Sequence, residues 1–233
     1  MGVTDADDDT LGLGRWLLAR GPWAPEAVSA TWHSEPFSPD AAATAEADRL
    51  LQALADRGSP SHDGLAARLV SFDASAGALK LELQPVRWAL RLLEEGAVPV
   101  ADGAVASISG LCVVRAADGR WLAGRRADWV ASWAGRWALG AGGAVEVDES
   151  PVLTLTRELE EEWGVTGERL RIEAMIRSSN NNVLFVGQTW LAPGAEVTRD
   201  LEHDAHAWWP AKVEDWPPEA DATLRSLGQM LSP

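Results

Sequence analysis

The chain has 233 residues, 46% of them apolar and 24% charged, with a formal charge of -15. That is the composition of a soluble globular protein, long enough for one large domain or two small ones around a substantial core. The excess of anions opposes long nucleic acid and an anionic membrane surface, but not a small phosphorylated substrate met by local arginines.

Residues 1–14 are acidic and lack a basic stretch followed by an apolar run, so they are expected to fray and not to act as a secretory signal. No segment reaches the roughly 18 apolar residues of a membrane span, and a cytoplasmic protein is expected. Between Arg15 and Glu35 the pattern is mixed. Trp16 to Leu18 fits a short helix or strand, and Val28 to His33 a strand. Ser38 or Asp40 caps a helix that runs to about Ala55. Gly58 to Gly64 is a loop. Leu65 to Phe72 and Ala78 to Gln84 alternate, as in LKLELQ, and read as a β-hairpin. Pro85 then opens a helix through Glu95. Gly96 to Ala104 has the composition of a connector, which places a smaller α+β domain at residues 1–100 and a second domain at 101–233.

In the second unit, Val105 to Arg115 is a strand. The Asp118-Gly119 turn returns it as Arg120 to Arg126. Cys112, the only cysteine, lies in the first of these runs and is read as a small packing residue; no intrachain disulfide or thiolate zinc site can form. Arg136 to Leu139 is extended, and Gly140 to Gly143 is a glycine-rich turn. Arg169 to Arg177, Val183 to Leu191 and Ala205 to Pro210 are further strands, and a last helix runs from Pro217 or Pro218 to about Met230. Mixed strands flanked by helices predict an α/β sandwich.

The informative stretch is Gly143 to Val165. Ser150 and Pro151 mark a helix start and Gly164 its stop. Val152, Leu155, Leu159 and Trp163 form one apolar stripe. Glu158, Glu161 and Glu162 project within about 100° of one another, while Glu160 points away. Like charges a turn apart cost roughly 0.2–0.5 kcal/mol per pair, and these lie where the helix dipole already disfavours anions. A solvated acidic face is the bland explanation. A hard divalent cation, Mg²⁺ or Mn²⁺, held by the carboxylates is the sharper one.

The spacing favours the second. This stretch resembles the Nudix box, G-x5-E-x7-R-E-U-x-E-E-x-G-U with U apolar, through Gly143, Glu149, Arg157, Glu158, Leu159, Glu161, Glu162, Gly164 and Val165. At ordinary residue frequencies such a match has a chance on the order of one in 10⁸ per window. The likeness extends to Gly124-Arg125-Arg126 and to Trp137, Leu139, Gly142 and Gly143, although Ala141 stands where relatives carry proline. It implies a Nudix-type α/β/α sandwich around a mixed sheet over about the last 130 residues. The LELQPVRWALRL stretch and the order of the early elements weakly resemble a subgroup with an added N-terminal domain, which would cap the pocket or form a homodimer surface.

The resemblance implies hydrolysis of the diphosphate bond in a nucleoside diphosphate linked to another group, with UDP-sugar-like compounds the leading candidates. Glu158, Glu161, Glu162 and the Gly143 carbonyl are the implied metal ligands, with Glu149 and Arg157 as supports. The general base is a box glutamate, or else Glu202 or Asp204. Arg125 and Arg126 suit substrate phosphates, though strand alternation lets only one face the site. Trp133 or Trp137 could stack a base. His203 and His206 are expected at the surface, and Asn180 to Asn182 form a turn. Two other functions compete. One is a Nudix module that binds a nucleotide without catalysis and regulates a partner. The other is a prenyl diphosphate isomerase, which should need a catalytic cysteine beside the box.

Overall fold

The computed structural model describes residues 16–59, 63–95, 105–178 and 182–232. Residues 1–14, the boundary near residue 100, and Asn180 with Asn181 lie outside the described residues. Alternation in LKLEL sends Leu79, Leu81 and Leu83 to one face of a strand, and all three are buried. That strand, β4 (Leu79–Arg87), is the middle of a three-stranded sheet. It pairs antiparallel with β3 (Leu65–Asp73) and parallel with β2 (Val28–Trp32). Helix α1 (Ala41–Asp56) is capped by Asp40, whose carboxylate accepts the Ala43 N–H at 2.7 Å.

Pro85 opens no helix. It continues β4 opposite Ala67, and a 3-10 turn at Trp88–Leu90 precedes the short helix α2 (Arg91–Glu95). The missing N–H is harmless there because β2 ends at Trp32, opposite Leu83, so Pro85 lies beyond the last rung on that side.

The larger sheet runs β1 (Trp16–Trp23), β9 (Arg169–Arg177), β10 (Val183–Trp190), β5 (Ile108–Arg115), β6 (Trp121–Arg126), β11 (His203–Trp209). Short strands β7 (Trp137–Leu139) and β8 (Ala141–Ala144) add to β6 and β5. The β10–β5 pair is parallel and the others are antiparallel, giving the expected mixed sheet. Two helices cover its faces. On β5, Cys112 and Val114 meet the core under α3 (Pro151–Trp163), while Val113 meets the core under α4 (Ala222–Leu231).

Two boundaries differ from expectation. The run after Gly140 is a strand, not a turn: only the corner at Gly140, with φ at 62°, needs glycine's freedom, and Ala141 to Ala144 then pair with β5. Helix α4 starts at Ala222, where the Asp221 carboxylate accepts the Leu224 N–H. The segment before it is held non-helical because Arg225 donates to the carbonyls of Val213, Trp216, Pro217 and Ala220. Of the helix or strand expected from Trp16, the strand forms: β1 lies on an edge of the larger sheet, antiparallel to β9.

The two sheets share one core. Leu79, Leu81 and Leu83 pack in the same cluster as Ile108, Leu155, Leu159 and Phe185. Backbone bonds join them as well: Ala67 N–H to Val145 C=O at 2.8 Å and Leu69 N–H to Ala106 C=O at 2.9 Å. No helix among the described residues is long and apolar enough to cross a membrane.

Candidate active site

Helix α3 is fixed at both ends by local chemistry. The Ser150 hydroxyl accepts the Val152 N–H, Pro151 is the first helical residue, and Gly164 ends the helix in a left-handed conformation. Leu155, Leu159 and Trp163 are fully buried against the sheet. That orientation turns the glutamates toward β8 and the mouth of a cavity of about 520 Å³.

Arg157 organises them. Its Nε and Nη2 donate to the two oxygens of Glu149 at 2.9 and 3.1 Å. Its Nη1 donates to Glu158 at 2.7 Å and to Glu161 at 3.0 Å, and Nη2 also reaches the Ala144 carbonyl. Glu149 accepts the Thr154 hydroxyl at 2.6 Å as well. Burial alone would raise the Glu149 carboxyl, but these bonds hold it below its ordinary value.

The three helix carboxylates are unequal. Glu161 is 58% exposed, whereas Glu162 is 3% exposed. One Glu162 oxygen accepts the Gly142 N–H at 3.0 Å; the other is buried without a hydrogen-bond partner. Burial pushes the Glu162 carboxyl well above the carboxylate range, against the pull of Arg126. Burial likewise pushes Glu158 up to about 7, even though it pairs with Arg157. A Cβ at Gly143 would lie 2.1 Å from a Glu158 oxygen, so a side chain there would displace that carboxylate.

Hard oxygen donors suit a divalent cation. An orphaned buried oxygen on Glu162 and a strongly desolvated Glu158 carboxyl suit such a cation. As the side chains stand, Glu158 is turned to Arg157 and Glu162 to Gly142, and no three acidic, His or Cys groups among the described residues converge at ligating distance. The donor set fits a cation in chemistry; in geometry it is a neighbourhood rather than a finished cage.

Strand alternation separates the two arginines of β6. Arg126 lines the cavity and pairs with Glu202, 3.0 Å away, which also lines it. Arg125 faces outward and forms a two-pronged pair with Asp204 on the exposed side. Arg125 and Asp204 are therefore not brought to the cavity. Neither is Trp137, whose ring packs on Trp209 at 5.6 Å. Trp133 does line the cavity, beneath the Arg136 guanidinium at 4.4 Å, with φ at 61°.

His203, expected at the surface, is 1% exposed. Its ring lies 4.7 Å from that of Trp163, its Nδ1 3.3 Å from Asp200 and its Nε2 3.7 Å from Glu162. Burial first, then Arg126, lowers its pKa, so the imidazole is neutral at neutral pH. His206 stays exposed. Cys112 is buried and its thiol is pushed up to about 12, chiefly by burial, which removes it as a nucleophile.

Sequence reasoning passed over Trp88, Arg91 and Trp129, which also line the cavity. Trp129 had a usable signal, an aromatic residue in the short β6–β7 connection. Trp88 and Arg91 had none, because the turn and short helix that carry them reach the cavity only through the shared core.

A family model described as the NUDIX domain matches residues 108–227. A comparison with curated proteins found no match. Among solved structures, the chain is similar to a MutT protein from Methanosarcina mazei Go1, 24% identical over 53% of this chain and 90% of that one, with a TM-score of 0.40. It is similar to a MutT NUDIX hydrolase from Burkholderia pseudomallei, 24% identical over 54% and 97%, TM-score 0.44. A third is the NUDIX domain of Shewanella oneidensis NrtR complexed with ADP ribose, 17% identical over 53% and 88%, TM-score 0.42.

Proposed function

This chain belongs to the NUDIX domain family, and on that premise we propose that it is a metal-dependent pyrophosphohydrolase. Its substrate would be a nucleoside diphosphate linked to another group, with nucleotide sugars first among the candidates. The observation that carries the reading is the gathering of Glu149, Glu158 and Glu161 on Arg157, with buried Glu162 beside them, at a cavity that also holds Arg126.

The reaction is attack of water on phosphorus, and its barrier is charge on the non-bridging and leaving oxygens. A divalent cation, Mg²⁺ or Mn²⁺, held by Glu158, Glu161, Glu162 and the Gly143 carbonyl, would acidify the attacking water and neutralise that charge. Arg126 offers a planar fork to the phosphate oxygens, and Glu202 holds that fork in place. Arg157 and Glu149 fix the positions of the helix carboxylates. For the water's proton, the carboxylates at the cavity are Glu202 and the box glutamates; Asp204 is committed to Arg125 on the outer face. The lone cysteine, Cys112, is buried, which argues against the isomerase reading.

The test is a screen of nucleotide sugars, dinucleotides and nucleoside triphosphates with Mg²⁺, scored by release of the nucleoside phosphate. Wild type should turn over at least one class, and Glu161→Gln and Glu162→Gln should lose most of that activity. Absence of Mg²⁺-dependent turnover on every class would leave a nucleotide-binding module as the better reading.

A further inference from the structure

The cavity has a wall that the matched family region does not supply. Trp88 and Arg91 line it together with the box glutamates and Arg126, yet they belong to the turn and short helix that follow β4, outside residues 108–227. We propose that Trp88 is the stacking platform for the nucleobase of a nucleoside diphosphate bound at this site, steadied by Arg91. The proposal rests on the nucleotide reading given above and adds which residue reads the base.

Three observations carry it. First, Trp88 is only half-buried, whereas the core indoles Trp121, Trp163, Trp209 and Trp216 are nearly inaccessible. An indole left uncovered on a cavity wall presents a large planar apolar face of the kind a base covers. Second, the backbone that carries Trp88 is fixed. Its main-chain N–H donates to the Gly64 carbonyl at 2.8 Å. The next N–H, of Ala89, donates to Asp63, and Asp63 is itself clamped by Arg87. A platform fixed before binding loses little freedom when the ligand arrives. Third, the Arg91 guanidinium lies over the Trp88 ring at 5.7 Å and lines the cavity with it, which sets a cation beside the platform. Trp129 and Trp133 line the same cavity and are the rival platforms; of the two stacked arginines, Arg136 lies closer to its ring, 4.4 Å from Trp133.

The experiment is calorimetric binding of ADP and of inorganic pyrophosphate to the full chain in Mg²⁺. Variants are Trp88→Ala, Trp88→Phe and Trp133→Ala. Trp88→Ala should weaken ADP binding about tenfold or more while leaving pyrophosphate binding within about twofold. Trp88→Phe, which keeps a ring, should recover most of the loss. Equal weakening of both ligands, an unchanged ADP affinity in Trp88→Ala, a loss seen only in Trp133→Ala, or no ADP binding by wild type would each overturn the assignment. Binding is read without turnover, so wild type that binds ADP in this pattern but hydrolyses nothing would count against the hydrolase reading alone.

Discussion

Arg157 holds three carboxylates with one guanidinium. Its alanine variant would free Glu149, Glu158 and Glu161 from their common partner. Turnover should fall about 10–100-fold, the usual cost of losing a ligand's orienting partner. Arg157→Lys should not restore it, because one ammonium cannot reproduce the fork; recovery above half of wild type would contradict the role given to Arg157. The acid–base behaviour of Glu158 gives a second expectation. Burial raises its folded pKa to about 7, above the ordinary carboxylate value. Its contribution to metal-free stability is therefore fully present at low pH and is lost as pH rises through about 7. Cation binding needs the deprotonated form, so Mg²⁺ affinity should run the other way. It should fall about tenfold or more per pH unit below about 7. Thermal melts and Mg²⁺ titrations across that range check both signs, and an affinity independent of pH would refute the assignment.

Strand β6 shows how an element sorts two neighbouring residues of one kind. Arg126 faces the cavity beside Glu202, while Arg125 faces solvent beside Asp204. Arg126→Ala should raise KM about tenfold or more with little change in stability, since one charge-assisted bond to phosphate is worth about 1.5–3 kcal/mol. Arg125→Ala should leave both kinetic constants within about twofold, because an exposed pair contributes about 0–1 kcal/mol. Steady-state kinetics of the two variants on one substrate decide it; equal effects would mean that β6 does not direct one arginine inward. That only one of the pair points in follows from strand periodicity alone, and so was legible in the sequence. Helix α3 was legible for the same kind of reason: cap, proline, stripe and stop are all local. Burial of His203 was not, because its neighbours Trp163, Glu162 and Gly124 come from two other elements. Nor was the extension of β4 through Pro85, which depends on where β2 stops.

Across the whole molecule, the early sheet is bonded to the later one and shares its core. Leu81 on β4 is 2% exposed, in one cluster with Leu155 and Leu159 of the helix that bears the glutamates. Cutting Leu81 to alanine should therefore do two things. It should lower stability by about 2–5 kcal/mol, as truncation in a packed core does. It should also lower the single midpoint of unfolding as seen by both tryptophan fluorescence and helix signal, because the same contacts support both sheets. A chain whose early sheet merely leaned on a separate catalytic unit would instead melt in two steps, with Leu81→Ala shifting only the first. Denaturant unfolding followed by the two probes distinguishes these outcomes. The coupling also bears on Trp88. A platform on the early sheet can read a base beside carboxylates on α3 only if the two sheets keep a fixed relation, and the shared core with the Ala67–Val145 and Leu69–Ala106 bonds supplies that relation. Mg²⁺ and nucleotide together should accordingly raise the one midpoint of the wild type, and raise it less in Trp88→Ala.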